Sequence, residues 1–137
     1  GERNALLDIM HDMLQSMGFN SWDKLKKLPA FIDELAYRQA VIARALLLQP
    51  KVIFINNAFR TLDTRNLFGL FDYICHYAET HNAAMILYSH ETKYACQHAR
   101  SMLFVTRDQA MYYPRMEDFR ATDKADVLHY LNEHDLR

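Results

Sequence analysis

The side chains of this sequence that could do chemistry gather at a few points. Asp33 and Glu34 are adjacent, Asn56-Asn57 closes the apolar run Val52-Ile53-Phe54-Ile55, Asp63 follows shortly after, and Ser89-His90 closes the run Ala84–Tyr88. A carboxylate or histidine could move a proton, and a serine beside a histidine could act as a nucleophile with its base. Ser89 and His90 are immediate neighbours, however, and successive strand residues point to opposite faces. No G-x-S-x-G elbow is present to expose the serine, so hydrolase chemistry is not expected. The two asparagines are neutral amides, which neither balance a divalent cation nor accept a proton at neutral pH. His76 and His81 are five residues apart, as are His129 and His134, and that spacing leaves each pair about 140° apart around a helix. Without an H-E-x-x-H run or paired C-x-x-C, no metal site is expected. Cys75 and Cys96 lack ligand spacing and read as reduced thiols of a cytosolic core.

The composition narrows the field further. The chain has 137 residues, 50% of them hydrophobic and 24% charged, with a formal net charge of -1. That is the make-up of one ordinary globular domain, without the basic footprint of a nucleic-acid binder. No segment approaches the roughly 18 apolar residues of a membrane span, and the N-terminus does not read as a signal peptide. A cytoplasmic location follows as the expectation. Only three glycines occur, Gly1, Gly18 and Gly69, too far apart to build a glycine-rich phosphate cradle.

The elements that must position these residues follow from periodicity. Leu6, Ile9, Met10, Met13, Leu14 and Met17 recur at three-and-four spacing, which predicts an amphipathic helix capped by Gly18. Met10, Met13 and Met17 would be core, or an adaptable partner groove together with Phe31. A short polar segment, Ser21 to Lys27, precedes Pro29, and Ala36 to Leu48 predicts a largely buried helix ending before Pro50. Val52–Ile55 and Ala84–Tyr88 have the pattern of buried strands, the first covered on both faces. Between them a helix carries Leu67, Leu70, Phe71, Ile74 and Ala78 on one stripe, with Asp63 and Thr64 as capping candidates. A helix over Glu91–His98, short strands Met102–Thr106 and Ala110–Tyr113 around a tight Arg107-Asp108-Gln109 turn, and a helix over Asp123–Leu131 complete the chain. The expectation is an α/β fold: a helical segment over 1–50, then a mostly parallel sheet with flanking helices and a C-terminal helix over 51–137. Val52, Phe54, Leu87 and Leu46 are the expected core of that fold.

The run from Leu28 to Leu46, with Asp33-Glu34-Leu35-Ala36 before Ile42-Ala43-Arg44-Ala45-Leu46, and then Gln49-Pro50 and Val52–Ile55, resembles an ABC-transporter nucleotide-binding domain. In that family a signature loop, LSGGQ, opens a helix ending in an IARAL-like run, and the Walker B strand follows. Leu62-Asp63 is similar to the end of the family's D-loop, and Ile86-Leu87-Tyr88-Ser89-His90 to the strand and histidine of its H-loop. The resemblance, over about Leu28 to Tyr113, implies a partial P-loop NTPase fold of the ABC type, residues 1–50 standing where the family has its helical subdomain.

The resemblance also implies lost chemistry. Where the family has the Walker B aspartate and the glutamate that polarises the attacking water, this chain has Asn56 and Asn57, followed by Ala58 in place of proline. Asp33, Glu34, Leu35 and Ala36 stand at the SGGQ positions, bringing negative charge and bulk to a place that would meet a polyphosphate. His90 is the H-loop-like remnant and Asp63 the D-loop-like one. Arg38 and Arg44 read as helix residues paired with nearby carboxylates. The expectation is a degenerate nucleotide-binding domain, or its C-terminal fragment: a structural or regulatory subunit of a membrane transport system that hydrolyses no ATP itself. ATP and Mg²⁺ enter only if an upstream half carries a Walker A loop. The implied partners are a membrane permease subunit and a second nucleotide-binding-domain-like subunit, which places the chain in the cytoplasm, peripheral to the inner or plasma membrane. Leu28-Pro29 is similar to the same position in ATPases of lipid and organic-solute trafficking. The alternatives are the C-terminal half of a longer, active ABC ATPase, and a protein-interaction module reusing the fold.

Overall fold

A computed structural model describes residues 1–26, 29–57 and 59–137. Leu28 and Ala58, which the resemblance uses, lie outside the described residues. The chain is mixed α/β, and its contacts divide it into two units, Gly1–Tyr88 and Ser89–Arg137, whereas the division expected from sequence falls at residue 50.

The first unit opens with α1 (Glu2–Ser16). Gly18, at φ +73°, ends it in a left-handed turn, with its N–H donating to Gln15 O at 2.9 Å and the Phe19 N–H to Leu14 O at 2.9 Å. This is a Schellman cap, and Leu14 and Phe19 share one buried cluster with Ala36 and Ala43 as such a cap favours. Met10, Met13 and Met17 pack against that cluster. In α2 (Glu34–Leu46) the buried residues Ala36, Gln39, Ala43 and Leu46 recur at helical spacing. Gln39, buried, donates from Nε2 to Met17 O at 2.8 Å and so fastens α2 to the end of α1. The chain then forms β1 (Val52–Asn56), α3 (Thr64–Thr80) and β2 (Ala84–Tyr88). The α3 stripe Leu67, Leu70, Phe71, Ile74, Tyr77 and Ala78 is buried, and the Tyr77 hydroxyl donates to Leu46 O at 2.9 Å, satisfying a carbonyl at the end of α2. Burial holds the Tyr77 phenol above its ordinary pKa.

β1 and β2 pair in parallel, Val52 opposite Ala84 and Asn56 opposite Tyr88. Ile55 is buried and Ile53, Met85 and Leu87 are half-buried on one face, while Val52, Phe54, Ile86 and Tyr88 are 57%, 63%, 54% and 56% exposed on the other. The expectation that β1 is covered on both faces, with Val52 and Phe54 in the core, is therefore corrected: helices cover one face of this pair. Leu46 is buried and Leu87 half-buried.

The second unit holds α4 (Thr92–His98), the antiparallel pair β3 (Met102–Val105) and β4 (Ala110–Tyr113), α5 (Met116–Arg120) and α6 (Ala125–Glu133). The turn between the strands is closed by Thr106 N–H to Gln109 O at 2.8 Å. The single mostly parallel sheet is likewise corrected: among the described residues there are two separate two-stranded sheets, because β3 finds its partner across that short turn. Phe119, Val127 and Leu131 are fully buried in this unit's core with Cys96, Met111 and Met116, and the Phe119 ring meets Tyr113 edge-on at 5.3 Å. No described helix is long and apolar enough to cross a membrane.

Candidate functional site

In open parallel sheets, ligands gather beyond the carboxyl ends of the strands. Here that end carries Asn56, exposed, and Asn57, half-buried. The Asn57 N–H donates to Tyr88 O at 2.9 Å, so the pairing of β1 and β2 runs one residue past the strand and holds this position against the sheet. Asn57 has φ +45°, in the left-handed region. Asparagine tolerates that region better than most residues, because its short amide can bond locally, whereas a longer glutamate would be strained there.

The N-terminus of α2 is filled by the chain's own carboxylates. Asp33 caps the helix, its Oδ1 accepting from the Ala36 N–H at 2.9 Å, while its Oδ2 accepts from Ser21 Oγ at 3.2 Å and Lys24 Nζ at 3.3 Å. The bond from Ala36 is the main reason the Asp33 carboxyl lies below its ordinary pKa. Glu34 accepts from the Thr61 hydroxyl at 2.8 Å and from Arg38 Nε at 2.7 Å, and these two bonds, Thr61 first, hold its carboxyl low as well. Thr61 sits in the loop between Asn57 and Asp63, so the start of α2 is tied to the segment that follows β1. Both acidic residues therefore stay ionised at neutral pH. A bare helix N-terminus attracts anions through its free N–H groups and its dipole; this one is occupied and negative. Arg38 lies on Glu34 and so pairs with a carboxylate of its own helix.

Asp63 caps α3, with Oδ1 accepting from the Asn66 N–H at 3.0 Å, and that bond is the main cause of its lowered pKa. His90, exposed, belongs to the second unit, next to a turn in which the Glu91 N–H donates to Ser89 Oγ at 3.0 Å. The structure thus gathers Asp33, Glu34, Asn56, Asn57 and Asp63 in the first unit, with Glu34 bonded to the loop that carries Asp63.

A different pattern accounts for three of the histidines. His81, His98 and His134 stand at the C-terminal ends of α3, α4 and α6, each with its ring on a tyrosine four residues earlier: Tyr77 at 3.9 Å, Tyr94 at 4.4 Å and Tyr130 at 4.4 Å. His81 Nδ1 lies 3.0 Å from Tyr77 O and His98 Nδ1 3.1 Å from Tyr94 O. His81 Nδ1 also lies 3.0 Å from Thr80 Oγ1, and the Tyr77 carbonyl already accepts the His81 backbone N–H at 3.0 Å, so this contact adds to a carbonyl that the chain bonds elsewhere. The Tyr-x-x-x-His spacing at 77–81, 94–98 and 130–134 is the sequence signal for these contacts, and the histidine-to-histidine spacings do not carry it. Among the described residues, no three His, Cys, Asp or Glu side chains gather into a group that could hold a metal ion. Burial, with Asp72 and Glu79 nearby, pushes the Cys75 thiol up to about 11, and burial raises that of Cys96.

No family model matches this chain, and no curated protein matches it.

Proposed function

We propose that the chain is a degenerate ABC-type nucleotide-binding domain, or the C-terminal fragment of one, that serves a membrane transport system as a structural or regulatory subunit and hydrolyses no ATP itself. The observation that carries this reading is the parallel strand–helix–strand unit β1–α3–β2, in which β1 runs into Asn56-Asn57, preceded by a helix whose N-terminus is held by Asp33 and Glu34. Parallel pairing through a helical crossover is what the Walker B and H-loop likeness requires. The residues themselves do not suit Mg-ATP. Two amides stand where a divalent ion needs a carboxylate and an attacking water needs a base. Two ionised carboxylates stand where phosphate oxygens would need donors. On this reading Asp33, Glu34, Asp63, Asn56 and Asn57 stabilise the scaffold, His90 is a remnant, and the partners are a permease and a second nucleotide-binding-domain-like subunit, with a cytoplasmic, membrane-peripheral location. Fluorescence titration of the chain with a ribose-labelled ATP analogue and Mg²⁺ tests the first part. The expected result is no saturable change up to millimolar nucleotide. Saturable binding that competes with unlabelled ATP would contradict it and favour an active ATPase.

A second reading, a protein-interaction module reusing the fold, draws support from exposed apolar surface in the first unit. Phe31 is 70% exposed, as are large parts of Leu6 and Leu7 on α1, whereas Met10, Met13 and Met17 are half-buried against the cluster of Leu14, Phe19, Ala36 and Ala43.

A further inference from the structure

Among the described residues β1 is paired along one edge alone, by β2. In a parallel ladder every second residue of a strand bonds to the same neighbour. The Ala84 N–H donates to Lys51 O and the Asn57 N–H to Tyr88 O, each at 2.9 Å, which puts residues 51, 53, 55 and 57 on the β2 side. The N–H and C=O of Val52, Phe54 and Asn56 therefore turn to the free edge. Such an edge is a template for another strand, and proteins commonly guard theirs with lysine, proline or a bulge. The run Val52-Ile53-Phe54-Ile55-Asn56 has none of these.

Beside this edge lies an apolar cavity of about 140 Å³. Ile53, Phe54 and Ile55 all line it. Consecutive strand side chains point to opposite faces, so a cavity that meets all three reaches round the edge of the strand. No β2 residue belongs to its lining, which makes that edge the free one, and its other wall is the α2 stripe Val41, Ile42 and Ala45. Arg38, the one charged residue of the lining, donates from Nε to Glu34 at 2.7 Å, so its charge is matched within its own helix. A cavity of roughly 150 Å³ lined by Leu, Ile and Phe accepts a benzene ring, and this one is of the size for a phenylalanine side chain. Unpaired backbone groups and a pocket for one apolar side chain are the two parts of recognition by strand addition. A second copy offers its own β1 to the edge, yet the Ile53 and Ile55 of that strand lie under its own helices and leave the cavity unfilled.

We propose that the free edge of β1 takes an extended segment of a partner polypeptide as a third strand. The segment bonds to the Phe54 N–H and C=O and sets one large apolar side chain, phenylalanine in size, into the cavity between α2 and β1. Its backbone supplies the affinity and that side chain the selectivity. The inference rests on β1 and α2 alone and survives if the transport reading fails.

The test follows hydrogen exchange of the Phe54 amide by NMR in the full chain. In the chain alone it should exchange at least about ten-fold faster than the amides of Ile53 and Ile55, which bond to β2. The probe segment Lys-Thr-Val-Phe-Val-Thr-Lys is joined to Gly1 through a Gly/Ser linker of about 30 residues, whose reach of about 30 Å is comparable with the diameter of the first unit. At the effective concentration of about 1 mM that such a linker provides, the tether should slow Phe54 exchange by about ten-fold or more. A tether with alanine for its phenylalanine should protect far less. One with proline for its threonines and valines, which cannot form a ladder, should leave the rate unchanged. Ala45→Phe, which fills the cavity from α2, should restore fast exchange in the tethered chain; Ile42→Trp serves if that variant does not fold. Equal protection by the phenylalanine and alanine tethers, no protection by either, or protection by the proline tether would overturn the proposal. Protection of Phe54 in the untethered chain would also overturn it, assigning the edge to a second copy if it grows with protein concentration and to the chain itself if it does not.

Discussion

Replacing Asp33 separates the capping role of the α2 carboxylate from its charge. In Asp33→Ala the Ala36 N–H loses its acceptor at 2.9 Å, a lost N-cap that costs about 1 kcal/mol. Ser21, which is buried, loses the 3.2 Å bond to Asp33 and keeps only Asn20 at 3.4 Å. The exposed Lys24 pair adds a few tenths of a kcal/mol at most. The sum is a loss of about 1–1.5 kcal/mol at pH 7. Asp33→Ser keeps a good capping oxygen and should stay within about 0.5 kcal/mol of the parent. Urea denaturation at pH 7 and at pH 3 measures both. The Asp33 carboxyl is lower in the folded chain than in the unfolded one, so its contribution is present above the ordinary carboxylate pKa and is lost as pH falls through the folded value. The gap between parent and Asp33→Ala should therefore narrow at pH 3. A gap that is the same at both pH values, or an Asp33→Ser variant as unstable as Asp33→Ala, would refute the reasoning.

Gly18→Ala forces a Cβ into the left-handed turn at φ +73° and should cost about 1–2 kcal/mol in thermal denaturation, though no atom lies in the way; an unchanged melting temperature would show that the cap is not formed. Tyr77→Phe removes the buried donor to Leu46 O and should cost about 1–2 kcal/mol by urea denaturation. Phe119→Ala empties a fully buried site among aromatic rings, a loss of about 3–5 kcal/mol. Hydrogen exchange should then show amides of Ser89–Arg137 losing protection before those of Gly1–Tyr88, and uniform loss would argue against two units.

Local signals in the sequence led to most of the elements. Gly18 marks the end of α1 because only glycine enters that turn without strain, and the α3 stripe announces its buried face by spacing alone. Asn82 and Asp135 end α3 and α6 in left-handed turns as well, with Ala83 bonding Ala78 O and Leu136 bonding Leu131 O, yet polar residues in such turns look like any loop residue. Val52 and Phe54 show a deeper limit. An apolar run records the environment a strand is suited to, and the covering of a face depends on residues far away or on another chain. The tight Arg107-Asp108-Gln109 turn announced the β3–β4 hairpin, whereas its separation from β1 and β2 was not legible, since a strand's side chains do not say which sheet it joins. For the candidate site, the paired amides Asn56 and Asn57 at the end of an apolar run could be read directly. The bond between Glu34 and Thr61 could not, because the two residues meet only once β1 and α2 are packed.

The most direct measurement of the proposed loss of chemistry is phosphate release by the purified 137-residue chain with saturating Mg-ATP. Two amides in place of the metal-balancing and base carboxylates predict a rate equal to the protein-free background. Release above that background, abolished by His90→Ala or by replacing both Asn56 and Asn57 with Ala, would contradict it.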